Sequence, residues 1–284
     1  MPATSSSPAD RSPSPDTVDL SGVPETALWT LWNRAMDMPR ADRLVDDPLA
    51  VELVERIDYD FPGHFGRPTA FHPIRARVGD DLIRDYLSRT PEEPVVVGLG
   101  EGLDSQLWRV DDNRVRWITV DLPELIRVRQ RLLPSHPRAA HVAGSVLEPT
   151  WMDAVPAGAR PFITAAGLLM YFTEDEVRAL LARIAERFRG AEIFFDTIPP
   201  IASRRTANGM KVTARYTAPP MPWGITVDDL PGFLRSIPNL EPVTVQTYAD
   251  PFPHRIRLYW LLSFIRPIRR AFAGGLAHAR VSLS

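Results

Sequence analysis

The chain has 284 residues, of which 44% are hydrophobic and 24% charged, with a formal net charge of −2. That size and balance fit one large soluble domain with a substantial core, and the near-neutral charge gives no electrostatic basis for binding nucleic acid. The chain contains no cysteine, which excludes disulfides, thiolate metal sites and cysteine nucleophiles and fits a reducing cytoplasm, the compartment expected here.

In chain order, residues 1–17 are rich in Ser, Pro and Asp, lack the apolar segment of a signal peptide and read as a disordered arm. Residues 18–92 read as a helical cap. In "PETALWTLWNRAMDM", Leu28, Leu31, Trp32, Ala35 and Met36 fall on one helical face. "DDPLAVELVERI" offers Asp47 as N-cap and Pro48 at the first helical position. A third helix, "HPIRARVGDDLIRDYLSRT", ends before Pro91.

From residue 94 strands and helices alternate. "PVVVGL", "VRWITVD", "AAHVAG", "RPFITAAG" and "AEIFFDTI" read as strands. "LDSQLWRV", "LPELIRVRQRLL" and "TEDEVRALLARIAERFR" read as the helices between them, the last with Thr173 and Glu176 spaced as a capping box. Alternation of this kind predicts an α/β fold with a doubly wound, mostly parallel sheet over residues 93–197. Residues 198–224, polar and broken by prolines, read as a lid insertion. Residues 225–268 read as a closing helix from Val227 and an antiparallel hairpin of "EPVTVQTY" and "RIRLYWLLSFI". The run Leu258 to Ile265 is too short for a membrane span and reads as a strand buried on both faces. Residues 269–284 read as a frayed tail.

The chemistry concentrates at "VVVGLGEGLDSQLWR". Gly98, Gly100 and Gly102 follow a buried strand, where a parallel sheet presents its cofactor. The dinucleotide fingerprint G-x-G-x-x-G is absent, which disfavours a nicotinamide-dependent reductase, and no Lys-Ser or Lys-Thr follows to make a P-loop. Asp121 ends the next strand, where an acid accepts hydrogen bonds from both ribose hydroxyls, or caps the helix that Pro123 opens. An adenosine cofactor without phosphates, S-adenosylmethionine, fits this combination best. "GSVLEP" brings Ser145 either to the adenine edge or to a turn. "AAGLLMYF" brings small residues to a strand end with Tyr171 behind them, while Leu168, Leu169 and Met170 read as core.

Four ordered stretches, "VVVGLGEGLDSQLWR", "WITVDLPELIRVRQRLL", "AGSVLEPTW" and "AAGLLMYFTEDEV", resemble the leucine carboxyl methyltransferase family, and within it the bacterial polyketide carboxylate O-methyltransferases. "TALWTLWNRA", "DPLAVELVERIDYDF" and "RARVGDD" are similar as well, so that the likeness covers roughly residues 23–197. The resemblance implies a Rossmann-like class I methyltransferase that uses S-adenosylmethionine. It implies that Arg75 holds the cofactor's carboxylate, that Gly98 and Gly100 floor the methionine portion, that Asp121 takes the ribose with Leu122 beside it, and that Ser145 and Val146 face adenine. Asp104 joins the set through the family's Leu-Asp-Thr, here Leu-Asp-Ser. Ala166, followed by Gly167, stands where the family has a glutamate beside the cofactor, so an acceptor near the methionine amine is missing.

Methyl transfer to a carboxylate, ionised at neutral pH, needs alignment and dryness rather than a protein base. No catalytic base is therefore assigned. Of the six histidines only His72 and His254 lie on segments that could border the site. Tyr171, Tyr216, Met221 and Trp223 are the expected acceptor pocket. The expected partner is a small aromatic or polyketide-like acid, with no nucleic acid and no membrane, acted on by a monomer or homodimer. A phenol or a protein C-terminus are alternative acceptors. A cofactor-binding protein without turnover is the alternative of another class, motivated by Ala166.

Overall fold

The strand–helix alternation is present in the computed structural model, which describes residues 16–90 and 92–283. Four helices precede the sheet: α1 (Thr26–Ala35), α2 (Pro48–Arg56), α3 (Phe61–Phe65) and α4 (Phe71–Arg89). α2 starts where its cap chemistry requires, with Asp47 Oδ1 accepting the Ala50 N–H at 3.1 Å. The short α3 carries no sequence periodicity long enough to announce it. Of the expected arm, residues 1–15 lie outside the described residues. Asp16 pairs in parallel with Ile57, and its carboxylate bridges Arg56 at 3.0 Å.

The sheet follows, with its helices: β1 (Val95–Leu99), α5 (Gln106–Val110), β2 (Arg116–Asp121), α6 (Pro123–Leu132), β3 (Ala139–Ala143), β4 (Phe162–Ala165), α7 (Glu174–Arg187) and β5 (Glu192–Asp196). β1 is buried along its whole length, as a run of valines with helices on both faces should be. α7 carries the complete capping box of Thr173 and Glu176. Then come α8 (Pro200–Ala207) inside the expected lid, α9 (Leu230–Arg235), β6 (Leu240–Thr247), α10 (Arg257–Ser263), α11 (Arg266–Phe272) and β7 (Gly275–Val281). The seven strands are ordered β3-β2-β1-β4-β5-β7-β6. β1 to β5 are parallel and β7 runs antiparallel to both β5 and β6. The order reverses between β1 and β4, so the cofactor position for an open sheet lies at their carboxyl ends. α7 and α9 cover one face through Val177, Leu180, Ile184 and Leu234. α4 and α5 cover the other through Ile74, Ile83, Leu87 and Leu107.

The antiparallel closure is as expected, but one of its strands is not the one expected. "RIRLYWLLSFI" contains α10, not a strand, and residues 269–284 are not a tail: β7 occupies an interior position between β5 and β6. A short apolar run does not distinguish strand from helix by periodicity. The sequence of β7 hid its burial because it carries His278 and Arg280. Both are held by the buried Glu192 of β5, at 2.8 Å to His278 Nε2 and 3.2 Å to Arg280, with Arg89 at 2.9 Å on the same carboxylate. Burial alone would raise the Glu192 carboxyl, but the hydrogen bonds from His278 and Arg89 overcome it and bring it down to about 2. Among the described residues no helix is long and apolar enough to cross a membrane.

Candidate active site

The turn after β1 is shaped by its glycines and held by β2. Gly100 has φ +60°, a region that only glycine enters freely, and a Cβ there would lie 2.5 Å from Leu168 Cδ1. The Asp121 carboxylate, at the end of β2, takes the Gly102 N–H on Oδ2 at 2.7 Å and the Leu122 N–H on Oδ1 at 2.8 Å. It therefore fixes the turn and still presents its remaining lone pairs to the cleft it lines. Burial raises its carboxyl to about 6, against the lowering effect of those two N–H donors.

Beneath the turn lies a buried ionic network that joins the helical cap to the glycine loop. Arg109 of α5 reaches Asp80 of α4 at 2.8 Å, Asp104 at 2.6 Å and Asp47 at 3.1 Å. Arg34 of α1 reaches Asp47 at 2.9 Å and donates to the Leu103 carbonyl at 2.8 Å. Arg129 of α6 donates to the carbonyls of Gly102 and Asp104 and pairs with the buried Glu101 at 3.2 Å. Burial would raise the Asp104 carboxyl, but Arg109 and Arg34 outweigh it and hold it far below the usual range. The loop is thus held on its backbone from α1 and α6 and on the Asp104 side chain from α5.

The opposite wall comes from the ends of β3 and β4. Gly144, Ser145 and Val146 line one part, and Ala166 and Gly167 another, of a cleft of about 250 Å³. Gly167 has φ +74°, and a Cβ there would come within 2.6 Å of the Arg75 guanidinium. Arg75, in α4, is buried against this glycine and pairs with Asp196 at 3.1 Å. Asp196 also accepts the Gly167 N–H and the Tyr248 hydroxyl, so β4, β5 and the end of β6 share one anchor.

A second cavity, of about 410 Å³ and mostly apolar, lies alongside. The two share Thr26, Thr30, Arg75, Gly167 and Tyr171 as a common wall. Trp29, Phe71, His72, Met170 and Met221 line the second cavity, and Arg205 borders it. His72 packs edge-on to Trp29 with ring centroids 5.6 Å apart. Its burial, with Arg75 and Arg34 nearby, pushes it well below the ordinary imidazole range, so it is neutral.

Of the expected site residues, Arg75, Gly100, Asp104, Asp121, Leu122, Ser145, Val146, Ala166 and Gly167 line the cleft together, and Tyr171 and Met221 the second cavity. Four expectations need correction. Gly98 does not line the cleft: it is inside β1, and a Cβ on it would meet the Glu101 carboxylate at 2.8 Å. Tyr216 lies outside both cavities, packed at 5.0 Å on Phe65 and 5.9 Å on Trp29. Trp223 is core, against Phe233 at 5.3 Å and Phe195 at 6.4 Å. His254 is exposed and borders neither cavity. Thr26, Thr30 and the Arg34–Asp47–Arg109 network lie outside the residues that the motifs pick out. A signal for the network was present: Arg34 shares its helical face with Leu31 and Ala35, which places a charge on an apolar stripe.

A family model described as leucine carboxyl methyltransferase matches residues 27–185. The tetracenomycin polyketide synthesis O-methyltransferase TcmP of Streptomyces glaucescens is 33% identical over 213 residues, which span 74% of this chain and 78% of that protein. An S-adenosyl-L-methionine-dependent methyltransferase, dpfgK of Gibberella zeae, is 30% identical over 63% of this chain and 67% of its own. Among solved structures, the CurJ carbon methyltransferase shares the fold with a TM-score of 0.53, at 11% identity, over 91% of this chain and 67% of that one.

Proposed function

Because the chain belongs to the leucine carboxyl methyltransferase family and is an S-adenosylmethionine-dependent methyltransferase, we propose that it esterifies the carboxylate of a small, largely apolar molecule. The observation that carries this reading is the common wall of Thr26, Thr30, Arg75, Gly167 and Tyr171 between a polar cleft and an apolar cavity. An acceptor in the cavity meets a cofactor in the cleft only across that wall.

In this reading Asp121 holds the ribose hydroxyls, the Gly100 turn underlies the methionine portion, and Ser145 and Val146 face adenine. Asp104, Leu122, Ala166 and Gly167 complete the cleft. Arg75 takes the cofactor's carboxylate while Asp196 keeps its guanidinium in place. Residues 18–92 and 198–224 serve as cap and lid over the cofactor core of 93–197. When bound, S-adenosylmethionine supplies a methyl group already activated on a sulfonium. The protein's part is then to align the acceptor oxygen and exclude water, for which Trp29, Met170 and Met221 provide the apolar surface. A carboxylate with a pKa of about 4 arrives ionised and needs no base.

The relative in Streptomyces glaucescens is named for tetracenomycin polyketide synthesis, which favours an aromatic, polyketide-like acid here, and the cysteine-free chain favours a cytoplasmic setting. One observation supports a phenol instead: His72 lines the acceptor cavity and its buried Nδ1 has no partner among the described residues, so it can accept a hydrogen bond from the hydroxyl of a phenol, although its depressed pKa makes it a weak base. Incubation with S-adenosylmethionine and paired aromatic acids and phenols, read by mass spectrometry, separates the two. The expected product is a methyl ester that mild base reopens. A base-stable methyl ether whose formation is lost in His72→Ala establishes the phenol reading, and cofactor binding without any methylated product leaves a binding protein.

A further inference from the structure

α10 and α11 lie against each other at the edge of the acceptor cavity and enclose an apolar groove of about 700 Å³. Three aromatic side chains, Phe71, Tyr259 and Phe272, line both the groove and the cavity, so the two spaces adjoin at these rings. Phe71 meets Tyr259 edge-on at 5.6 Å and Tyr248 edge-on at 5.4 Å, which makes this junction an aromatic neck. Beyond the neck the groove is lined by Ile256, Leu258, Leu262 and Ile268.

The groove's surroundings are unusual for a surface. Leu258 is 71% exposed and Phe264 70%, with Leu261, Ile265 and Phe272 also exposed. Large apolar side chains clustered in this way mark a binding surface rather than scattered chance exposure. Of the two arginines at its edge, Arg269 is paired with Asp228 at 2.8 Å, while Arg257 makes no ion pair among the described residues. The polar character of the lining therefore declines from the cleft, through the cavity, to a groove whose walls are mostly apolar.

We propose that the groove holds the apolar end of the acceptor, whose reacting end passes the Phe71–Tyr259–Phe272 neck to the common wall. This rests on the carboxylate reading above and sharpens it: the acceptor is an amphiphilic acid with an apolar part longer than the cavity alone holds. The cavity's ~410 Å³ is near the lower end for small-molecule sites, and the groove extends it along one direction. The occupant follows from the shared lining: a ligand anchored at the wall that parts the neck's rings has the groove as its next contact.

The test is calorimetric titration of the full chain, loaded with S-adenosylhomocysteine, with straight-chain carboxylic acids of increasing length. Binding should tighten roughly two- to fourfold per added methylene as each leaves water for the groove. Leu262→Arg, a groove residue remote from the common wall, should abolish that gain while leaving the shortest acid within about twofold of wild type. Ile268→Trp should truncate the gain rather than abolish it. A flat length series in the wild type, or a variant that weakens short and long acids alike, overturns the proposal. So does a wild-type dimer, seen by light scattering, that Leu262→Arg dissociates in the absence of any length dependence. If no acid binds, the same series of neutral primary alcohols is decisive. A length dependence lost in Leu262→Arg then supports the groove while the carboxylate reading fails, and no length dependence overturns the groove as well.

Discussion

The two spaces that the proposed function assigns to cofactor and acceptor are built by opposite means. On the cofactor side a short glycine turn is clamped by side chains that are themselves buried and paired: Asp121 on the backbone of Gly102 and Leu122, Arg129 on two carbonyls, and Arg109 among three aspartates. On the acceptor side the walls come from α1, α4, α8, α10 and α11, and most of what they present is apolar. Polar groups held by a rigid scaffold select a ligand by its functional groups, whereas apolar surface selects by shape and area. The first kind of site declares its ligand. The second declares only the ligand's class.

The difference should appear first in stability. Arg109→Met leaves Asp47, Asp80 and Asp104 buried without their common partner, and removing one member of a buried ionic set costs about 3–5 kcal/mol. Urea denaturation should show that loss. A loss below about 1 kcal/mol would mean that the network is not what holds the loop, and the contrast between the two sides would collapse. Next in size is Asp121→Ala, expected to weaken S-adenosylmethionine by about 2–3 kcal/mol in calorimetry while sparing acceptor affinity. The same residue sets a pH dependence. Its carboxyl titrates at about 6 in the free protein, so cofactor affinity should fall toward tenfold per pH unit below that point. Stability runs the other way. The folded pKa lies above the unfolded one, so this group's contribution to folding is fully present below the unfolded value and is lost as pH rises through about 6. Asp121→Asn should flatten the binding profile.

Legibility follows the same division. The parallel core, the Gly100 turn and Asp121 are legible because short-range chemistry dictates them: valine runs for buried strands, glycines where φ is positive, an acid at a strand end, a capping box at Thr173; Arg75, Asp104 and Val146 enter only through the family resemblance. β7 was not readable, because His278 and Arg280 look like surface residues until Glu192, far away in sequence, is placed beside them. α10 was misread because its apolar run is as compatible with a buried strand as with a helix bordering a groove. Gly98 resembled its neighbours in the turn, yet it serves packing over Glu101. For Tyr216 and Trp223 the sequence offers only residue type and segment, and an aromatic side chain in a lid segment can as well face the core.

Ala166 tests how complete the cofactor side is. It lines the cleft next to Gly167, at a position where the resemblance expects glutamate. Ala166→Glu should tighten S-adenosylmethionine by about 1 kcal/mol, less than a full charged hydrogen bond, because Asp104 and Asp121 already make the cleft acidic. An unchanged dissociation constant would mean that the clamped loop and Arg75 already supply what the cofactor needs. The departure at this position would then be inconsequential.

The smallest effect is expected at Tyr216. Its ring fills the space between Phe65 and Trp29, and its buried hydroxyl makes no hydrogen bond among the described residues. Removing a buried hydroxyl that has no partner relieves a desolvation cost without breaking a bond. Tyr216→Phe should therefore leave stability within about 0.5 kcal/mol of wild type, or raise it. Cofactor and acceptor constants should stay the same. A rise in the acceptor KM alone would give Tyr216 a part in the pocket through the Trp29 ring it packs against.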